Sequence, residues 1–431
     1  MKKKLIQIRS LIPGMYVDEL ICSMKDRDRI GETRNFLVLG KHEIERFNAL
    51  GVRELFINPE KGLDLRNEEE TQRQANNDIA KLAHMKNARN VQEPKSLEDE
   101  FYEARALSRK ARSELENAIK AIQAGEQIMT DRLNPLLEEI FKSVNENKDY
   151  IVTVCRKKNK SGYELEHSVS HCALMMAFGQ TLGMDKEALL ELGMGGLFHD
   201  IGKIRIPDAI LNKPGKLTPE ELEIVKNHPQ WGGELMKNSG DFSERVLAVI
   251  MEHHERPDGT GYPYRLKGSE ISLFGQMASI VDVYDASTSI RSYGAATDPC
   301  VAIKLLYTGA GQLFHKELIE QFIKTVGIYP VGTLVRLESG KLGIVVKQTK
   351  SLTQPVVRIV YNLKHSSYLP PQDVDLSRVG YAPPQGGEAI RTSGKEDKVV
   401  GSESPEKWSI DPFRFIFPEL ASAIEVRETR D

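Results

Sequence analysis

Apolar residues recur at helical spacing through the middle of the chain and alternate with polar residues near its two ends. One early stretch of the middle region places five apolar residues on one side of a helix: Leu136, Leu137, Ile140, Phe141 and Val144. Residues 5–9 alternate as a strand does, and residues 334–346 form short apolar runs around a turn. The pattern predicts a mainly α protein with a small α+β domain at its start and a short β extension near its end.

Composition divides the chain further. Residues 66–92 are rich in Asn, Gln, Glu and Arg, and residues from 383 onward are rich in Gly, Pro, Ser, Glu and Lys, which is typical of chain that cannot build a core. Five segments are therefore predicted: a small α+β domain (1–65), a charged helical linker (66–135), a large helical domain (136–330), a small β extension (331–380) and a mostly disordered tail (381–431).

The small α+β domain at the start shows no cluster of catalytic residue types. Residues 1–65 fit either a regulatory or partner-binding domain or a simple folding appendage. The linker carries charges of both signs, which favours a solvated helix face. A signalling helix or a homodimer contact is the alternative for the linker.

Charge and cysteine usage narrow the function classes. The net charge of −3 argues against a general nucleic-acid binder, because such a surface needs an excess of cations. The four cysteines are far apart along the chain, which suits a reducing cytoplasm. The chain contains no run of about 18 apolar residues, so no membrane span is predicted. The basic start, residues 1–4, lacks the apolar core of a signal peptide.

Residues 198–203 put an imidazole, a carboxylate and an ammonium close together. His199 and Asp200 are adjacent, so on a helix their side chains point about 100° apart and can serve two neighbouring metal ions. Lys203 lies three residues after Asp200 on the same helical face, where it can hold an anion. A lone His-Asp pair is common by chance, so this prediction depends on the surrounding residues.

Further histidines and aspartates lie in the same region of the chain. Helix-start signals support two of them: Thr218 to Glu221 reads as a capping box before His228, and Ser243 begins a helix that ends at His253 and His254. Imidazoles and carboxylates without nearby thiols suit iron or manganese better than structural zinc. Each histidine alone is better explained as a hydrogen-bonded helix residue, but the set predicts a metal site.

These segments resemble the HD-GYP family of bacterial cyclic di-GMP phosphodiesterases. The resemblance runs from about Tyr163 to Tyr329 and rests on residues 199–203 and on 253–263, which occur in the family's order and spacing. It implies an HD-type helical bundle as the catalytic domain. Residues 1–65 resemble the N-terminal domain (DUF3391-like) of one subset of this family, and residues 327–332 resemble the extension found in the same subset.

The resemblance implies a metal-binding and substrate-binding set of residues. It selects seven ligands for two divalent ions: His167, His199, Asp200, His228, His253, His254 and Asp282. Asp200 would bridge both ions, and Lys203 would stabilise the negative charge of the transition state. Gly261 and Tyr262 would line the substrate site in the loop, and Arg291 would contact a substrate phosphate.

Several positions around this set carry narrower expectations. Some family members have a glutamate one turn before the first histidine, which helps to hold a third metal. Tyr163 stands there, and Glu164 and Glu166 are expected off that face, so two metals are predicted. His171 is interpreted as a residue packed behind the ligands or as a polar rim residue, and the rim is favoured; Asp285 is interpreted as support for the fold or the ligands. Gly294 stands where the family often has Lys or Arg, which is expected to loosen substrate binding.

The implied reaction opens cyclic di-GMP to linear pGpG, and a second cut would give GMP. A different class of function is also open: a weakly active or inactive signalling module that binds the dinucleotide or a diguanylate cyclase partner through residues 261–263. A third alternative is hydrolysis of another cyclic dinucleotide, which base contacts would decide. The identity of the metal, iron or manganese, stays open as well.

Overall fold

The computed structural model describes residues 3–12, 14–21, 36–38, 41–49, 51–59, 61, 97–128, 130–156, 162–289, 297–379, 391–393 and 397–416. The chain divides into two compact units. The first, called the β unit here, comprises Met1–Glu98 and Gly332–Asp431, and the second, the helical unit, comprises Asp99–Val331.

The first sheet of the β unit has four strands in the order β1-β4-β2-β3. Their bounds are β1 Lys4–Gln7, β2 Tyr16–Ile21, β3 Phe36–Leu37 and β4 Glu54–Ile57, and helix α1, Lys41–Ala49, precedes β4. All three pairings are antiparallel. Successive side chains of a strand point to opposite faces, and the buried pair Leu55 and Ile57 accordingly packs one face of β4 into an apolar core.

The second sheet of the β unit has six strands in the order β10-β5-β6-β7-β8-β9. Their bounds are β5 Leu334–Leu337, β6 Lys341–Lys347, β7 Val356–Asn362, β8 Ser367–Val379, β9 Arg391–Ser393 and β10 Val399–Ser402. The pairings are antiparallel except for β8 with β9, which is parallel. The predicted strands near residues 334–346 are therefore present, within a larger sheet than the sequence pattern indicated.

Part of the predicted disordered tail is ordered. Strand β10 pairs with β5, and two short helices follow, α13 Pro405–Trp408 and α14 Pro412–Ile416. Phe415 and Ile416 are buried. The segment is polar on average, but its few apolar residues are enough to hold it against the sheet.

The helical unit contains eleven helices within the described residues. They are α2 Leu97–Gln123, α3 Thr130–Arg156, α4 Tyr163–Thr181, α5 Lys186–Phe198, α6 Asp208–Leu211, α7 Pro219–Val225, α8 His228–Ser239, α9 Glu244–Glu252, α10 Leu273–Thr288, α11 Pro299–Thr308 and α12 Lys316–Val326. None of the described helices is long and apolar enough to cross a bilayer. The prediction of a mainly α protein with a helical bundle is confirmed.

Local sequence signals begin the helices that lead to the candidate site. The Thr218 hydroxyl accepts a hydrogen bond from the Glu221 N–H, and the Glu221 carboxylate accepts one from the Thr218 N–H, which is the predicted capping box. The Ser243 hydroxyl caps α9 by accepting a hydrogen bond from the Val246 N–H. Ser272 caps α10 through the Gly275 N–H.

The core of the helical unit lies around α4, which is buried on nearly all sides from His167 to Gly179. The Phe322 ring meets Phe178 and Tyr284 at centroid distances of 5.2 Å in both cases, in edge-on arrangements. This packing fixes α4, α10 and α12 against one another. It therefore holds the polar residues near the start of α4 and in the second half of α10 at defined places.

Candidate metal centre

Three of the predicted ligands stand at the C-terminal ends of helices. His199 follows the last residue of α5, His228 follows α7 after two residues, and His253 follows the last residue of α9. In each case the Nδ1–H donates to the carbonyl oxygen three residues earlier: Gly196, Val225 and Ile250, at 2.9, 2.8 and 2.8 Å. The last carbonyls of a helix lack intrahelical partners, and the imidazoles supply them. As a consequence, Nε2 of each ring carries the free lone pair.

The seven predicted ligands meet as two neighbouring groups. The first group is His167, His199 and Asp282, and the second is Asp200, His228, His253 and His254. Within each group the potential ligand atoms lie within 4.8 Å of one another. The residues come from helices and turns spread over more than a hundred positions, and the tertiary fold brings them together.

Asp200 lies between the two groups. Its Oδ2 is 3.3 Å from Nε2 of His199, and its Oδ1 is 3.2 Å from Nε2 of His228. One carboxylate thus directs one oxygen toward each group, which is the arrangement that a bridging ligand needs. The short 3₁₀ segment Ile201–Arg205 follows directly, and Gly202 packs so closely on the His228 carbonyl that a side chain would not fit there.

The distances between ring nitrogens show whether a cation would fit between the ligands. His167 and His199 bring their Nε2 atoms to 3.2 Å, and His228 and His253 do the same. The Nδ1 contacts place the protons on the far side of these rings, so lone pairs face one another at both places. That arrangement is unfavourable by itself and is favourable around a divalent cation. The donor set of five imidazoles and two carboxylates therefore fits a metal centre.

The protonation states also suit metal binding. Burial lowers the pKa of His253 well below its usual value, and burial lowers the pKa of His254 to about 3. Burial alone would raise the pKa of Asp282, but the neighbouring His167 and His254 rings outweigh it and hold that pKa well below the usual range. Neutral imidazoles and a charged carboxylate are the forms that bind cations.

Asp285 fixes the orientation of His167. Its Oδ2 lies 2.5 Å from His167 Nδ1, and its Oδ1 accepts a hydrogen bond of 2.5 Å from the Ser170 hydroxyl. The carboxylate is completely buried. The sequence interpretation of Asp285 as a supporting residue matches this contact, whereas Ser170 was not singled out.

Lys203 contacts Asp200 as its spacing predicted. Its Nζ lies 2.7 Å from Asp200 Oδ2 and 2.9 Å from Glu164 Oε2. Burial alone would lower the pKa of Lys203, but the charges of Asp200 and Glu164 outweigh it and raise that pKa, so the side chain is an ammonium. Glu164 was expected off the face that would hold a third metal, and its side chain pairs with Lys203. Tyr163 instead stacks on the His167 ring at 5.8 Å.

His171 is not the rim residue that the sequence suggested. It is completely buried, and its ring stacks on His199 at 4.1 Å with an interplanar angle of 17°. Its Nε2 lies 3.3 Å from the Ala278 carbonyl oxygen. One helical turn separates His171 from His167, so the spacing alone could have indicated a residue packed behind the ligands.

The loop after His254 is held against the site. The Tyr262 ring lies 4.6 Å from the His254 ring and 6.3 Å from the His228 ring. Gly261 packs so closely on the backbone of residues 254–256 that a side chain would collide with it. The buried Glu255 carboxylate accepts backbone hydrogen bonds from Tyr264, Arg265 and Leu266 at 2.6, 3.1 and 3.0 Å. Glu255 is a positioning residue that the sequence reasoning did not identify.

The predicted phosphate contact Arg291 and the nearby Gly294 lie outside the described residues. The role of Arg291 stays a prediction. The other substrate and catalytic candidates, Lys203, Gly261 and Tyr262, all border the two metal-binding groups.

Comparison with known proteins places this geometry in a class. A family model described as HD domain matches residues 153–318, and one described as domain of unknown function (DUF3391) matches residues 3–133. The first match covers all seven predicted ligands. The fold and site thus define an HD-domain, metal-dependent phosphodiesterase.

Similar proteins identify the family. A cyclic di-GMP phosphodiesterase of Pseudomonas aeruginosa is 36% identical over 94% of this chain and 93% of its own length. A cyclic di-GMP phosphodiesterase response regulator of Xanthomonas campestris is 31% identical over 50% of this chain and 58% of its own length. A 3′3′-cGAMP-specific phosphodiesterase of Vibrio cholerae is 39% identical over 29% of this chain and 24% of its own length. The chain belongs to the HD-GYP family of cyclic dinucleotide phosphodiesterases.

Proposed function

We propose that this protein hydrolyses cyclic di-GMP to linear pGpG in bacterial second-messenger signalling, with GMP as the product of a second cut. The observation that carries the proposal is the convergence of seven imidazole and carboxylate side chains as two groups joined by Asp200. The P. aeruginosa relative, matched over nearly its whole length, supports cyclic di-GMP as the substrate.

We propose that each group holds one divalent cation, and that the pair is iron or manganese. Imidazole and carboxylate donors without thiolates suit these ions. Two such cations lower the pKa of a water molecule and neutralise phosphate oxygens, which is the chemistry that phosphodiester hydrolysis requires. Tyr163 supports the number two, because a phenol next to His167 replaces the carboxylate that a third cation would need.

The remaining residues act on the phosphate and on the ligands. The Lys203 ammonium is positioned to stabilise negative charge that develops on the phosphate, and Asp200 and Glu164 keep it charged and directed at the site. Asp285 keeps the His167 ring in one orientation. Tyr262, and by the family resemblance Arg291, would hold the substrate.

The direct test is an assay of the purified, metal-loaded full-length protein with cyclic di-GMP, with products separated by chromatography and metal content measured in the same preparation. We expect linear pGpG to accumulate and chelation to abolish its formation. No linear product from protein with two bound ions would refute the proposal and favour a binding module. Three tightly bound ions per chain would contradict the assignment of Tyr163.

A second substrate is favoured by one specific observation. The V. cholerae relative acts on 3′3′-cGAMP by its name, and its matched segment is 39% identical to this chain. The same assay with 3′3′-cGAMP separates the two substrates.

We also propose a cellular location, roles for the first two segments, and partners. We place the protein in the cytoplasm, where cyclic dinucleotides act, with residues 1–65 as a regulatory domain and residues 66–135 as its connection to the catalytic residues. A diguanylate cyclase that binds residues 261–263 and a homodimer are the partners to test, by copurification and by light scattering.

A further inference from the structure

A cleft with a volume of about 460 Å³ lies beside the loop that follows His254. One wall is formed by residues 223, 224, 226 and 227, at and after the end of α7, and the other by loop residues 259–263 and 265. We call it the loop cleft. Its volume falls in the range of about 300–1,000 Å³ that is usual for small-molecule sites.

The backbone of Arg265, on the loop wall, has an unusual conformation. Its φ is +57°, in the left-handed region that residues other than glycine rarely adopt. The Glu255 carboxylate accepts hydrogen bonds from the N–H groups on both sides of Arg265 and from Arg265 itself. The surrounding structure thus imposes this conformation, and such imposed conformations concentrate at ligand-binding sites.

The Arg265 side chain is exposed at the cleft and has no ion pair or hydrogen-bond partner among the described residues. A nearby cation, Lys226, is by contrast paired with Glu223 at 2.6 Å. Arg265 therefore offers a planar set of donors that the described parts of the protein leave unused.

Asn227, on the opposite wall, offers an acceptor. Its side-chain Nδ2 donates to the carbonyl oxygens of Glu223 and Ile224, at 2.7 and 3.4 Å, and these two acceptors fix which way the amide points. The Oδ1 atom has no donor among the described residues. The loop cleft thus combines a donor array with a carbonyl acceptor.

Tyr262 connects the loop cleft to the metal centre. Its ring borders the cleft and lies 4.6 Å from the His254 ring. A nucleotide whose phosphate lay at the metal centre would have an attached base within reach of this cleft.

We propose that the loop cleft binds a guanine base of the substrate and that Arg265 selects guanine over adenine. This inference rests on the proposed function, because it concerns the same substrate. Guanine presents two acceptors, O6 and N7, that match the paired donors of a guanidinium. Adenine presents an N6 amino group in place of O6, and this donor faces the arginine donors unfavourably. The N1–H and N2–H groups of guanine match the Asn227 acceptor.

The test compares three substrates that differ only in their bases: cyclic di-GMP, 3′3′-cGAMP and cyclic di-AMP. We expect kcat/KM to fall in that order for the full-length protein. Arg265→Gly removes the guanidinium, and glycine adopts a positive φ freely, so the loop backbone is retained. We expect this variant to lower the preference for cyclic di-GMP over cyclic di-AMP about 5- to 150-fold, the usual value of a paired arginine–guanine contact.

Two further variants sharpen the test. Arg265→Lys keeps the charge and loses the planar donor pair, so its selectivity should fall nearly as far as that of Arg265→Gly. Arg132→Ala removes an exposed arginine from α3 and should leave the selectivity at the wild-type value. An equal loss of kcat/KM for all three substrates in Arg265→Gly would show simple attraction of phosphate and overturn the inference, as would an unchanged preference.

Dissociation constants of the three dinucleotides, measured by calorimetry on the same proteins, keep the inference separate from the proposed function. If the wild-type protein cleaves none of them, the proposed function fails. The inference then stands if wild-type binding prefers guanine and Arg265→Gly loses that preference. It falls if the wild-type protein binds the three equally or binds none.

Discussion

The core of the first sheet in the β unit and the interior of the helical unit are both buried, but they bury different chemistry. The cluster of residues in the first sheet is apolar and includes the fully buried Leu55 and Ile57. The helical unit buries His167, His199, His228 and His253 beside a comparable apolar core. Burying polar groups costs free energy unless each finds a partner.

The difference shows where the sequence is constrained by function. In the apolar sheet core, any set of side chains with the right volume serves the fold. In the helical unit, each of these four buried imidazoles has a specific acceptor for Nδ1, and its Nε2 faces another ligand. The approach of the Nε2 atoms to other ligands does not stabilise the fold by itself. The cations that would make it favourable carry the proposed chemistry.

The largest effect is expected from Asp200→Asn. The amide cannot offer a charged oxygen to each group, so we expect loss of detectable hydrolysis and loss of bound metal, measured by product chromatography and metal analysis. Near-normal metal content with near-normal turnover would remove Asp200 from its bridging role. The circular dichroism spectrum checks that the variant is folded.

Lys203→Met should come next. It removes the ammonium near the phosphate but no metal ligand, so we expect kcat to fall by about 10²–10³-fold with metal content unchanged. Lys213→Met is the matched control, because Lys213 makes a similar ion pair at 2.6 Å with Glu221 away from the ligands. An equal loss in both variants would contradict a role specific to Lys203.

Asp285→Asn should have a smaller effect, confined to one group. It weakens the hold on His167, so we expect metal affinity to fall by roughly 10–100-fold, measured by competition with a chelator. One of the two ions should be lost before the other, since Asp285 contacts only the group with His167. Asp298→Asn, which alters the cap of α11, serves as the control. Simultaneous loss of both ions would show that the two groups are not separable.

Leu55→Ala should leave turnover unchanged. It opens a cavity in the apolar core of the first sheet, and we expect the free energy of unfolding to fall by about 2–5 kcal/mol, measured by denaturant titration. Leu5→Ala, at an exposed position of β1, should have little effect on either property. A fall in turnover for folded Leu55→Ala would contradict this expectation and show that turnover needs an intact core in the first sheet.

Patterns among residues close together in the sequence predicted part of the fold and part of the site. Thr218 and Ser243 begin helices through hydrogen bonds to residues three positions away, and such contacts can be recognised in the sequence. The order and spacing of the histidines gave the ligand set through the family resemblance. Lys203 and Asp200 contact each other within one helical turn, as their spacing indicated.

Contacts between distant residues could not be predicted in this way. Glu164 meets Lys203 across 39 positions, and His171 stacks on His199 from another helix, and the sequence indicated neither contact. Residues 397–416 join the second sheet through a few apolar side chains in a polar segment. Propensity and composition describe a residue's neighbours along the chain, whereas these contacts depend on how helices and strands pack.

By itself, the sequence determined the mainly α class, the helix starts, and which imidazoles and carboxylates belong together. Only the tertiary structure decided that Asp200 presents one oxygen to each group, that Glu255 holds Arg265 in a left-handed conformation, and that a cleft lies beside Tyr262. The reason is physical. Residue types and spacing set what each side chain can bind, but its direction is set by the packing of elements from distant parts of the chain.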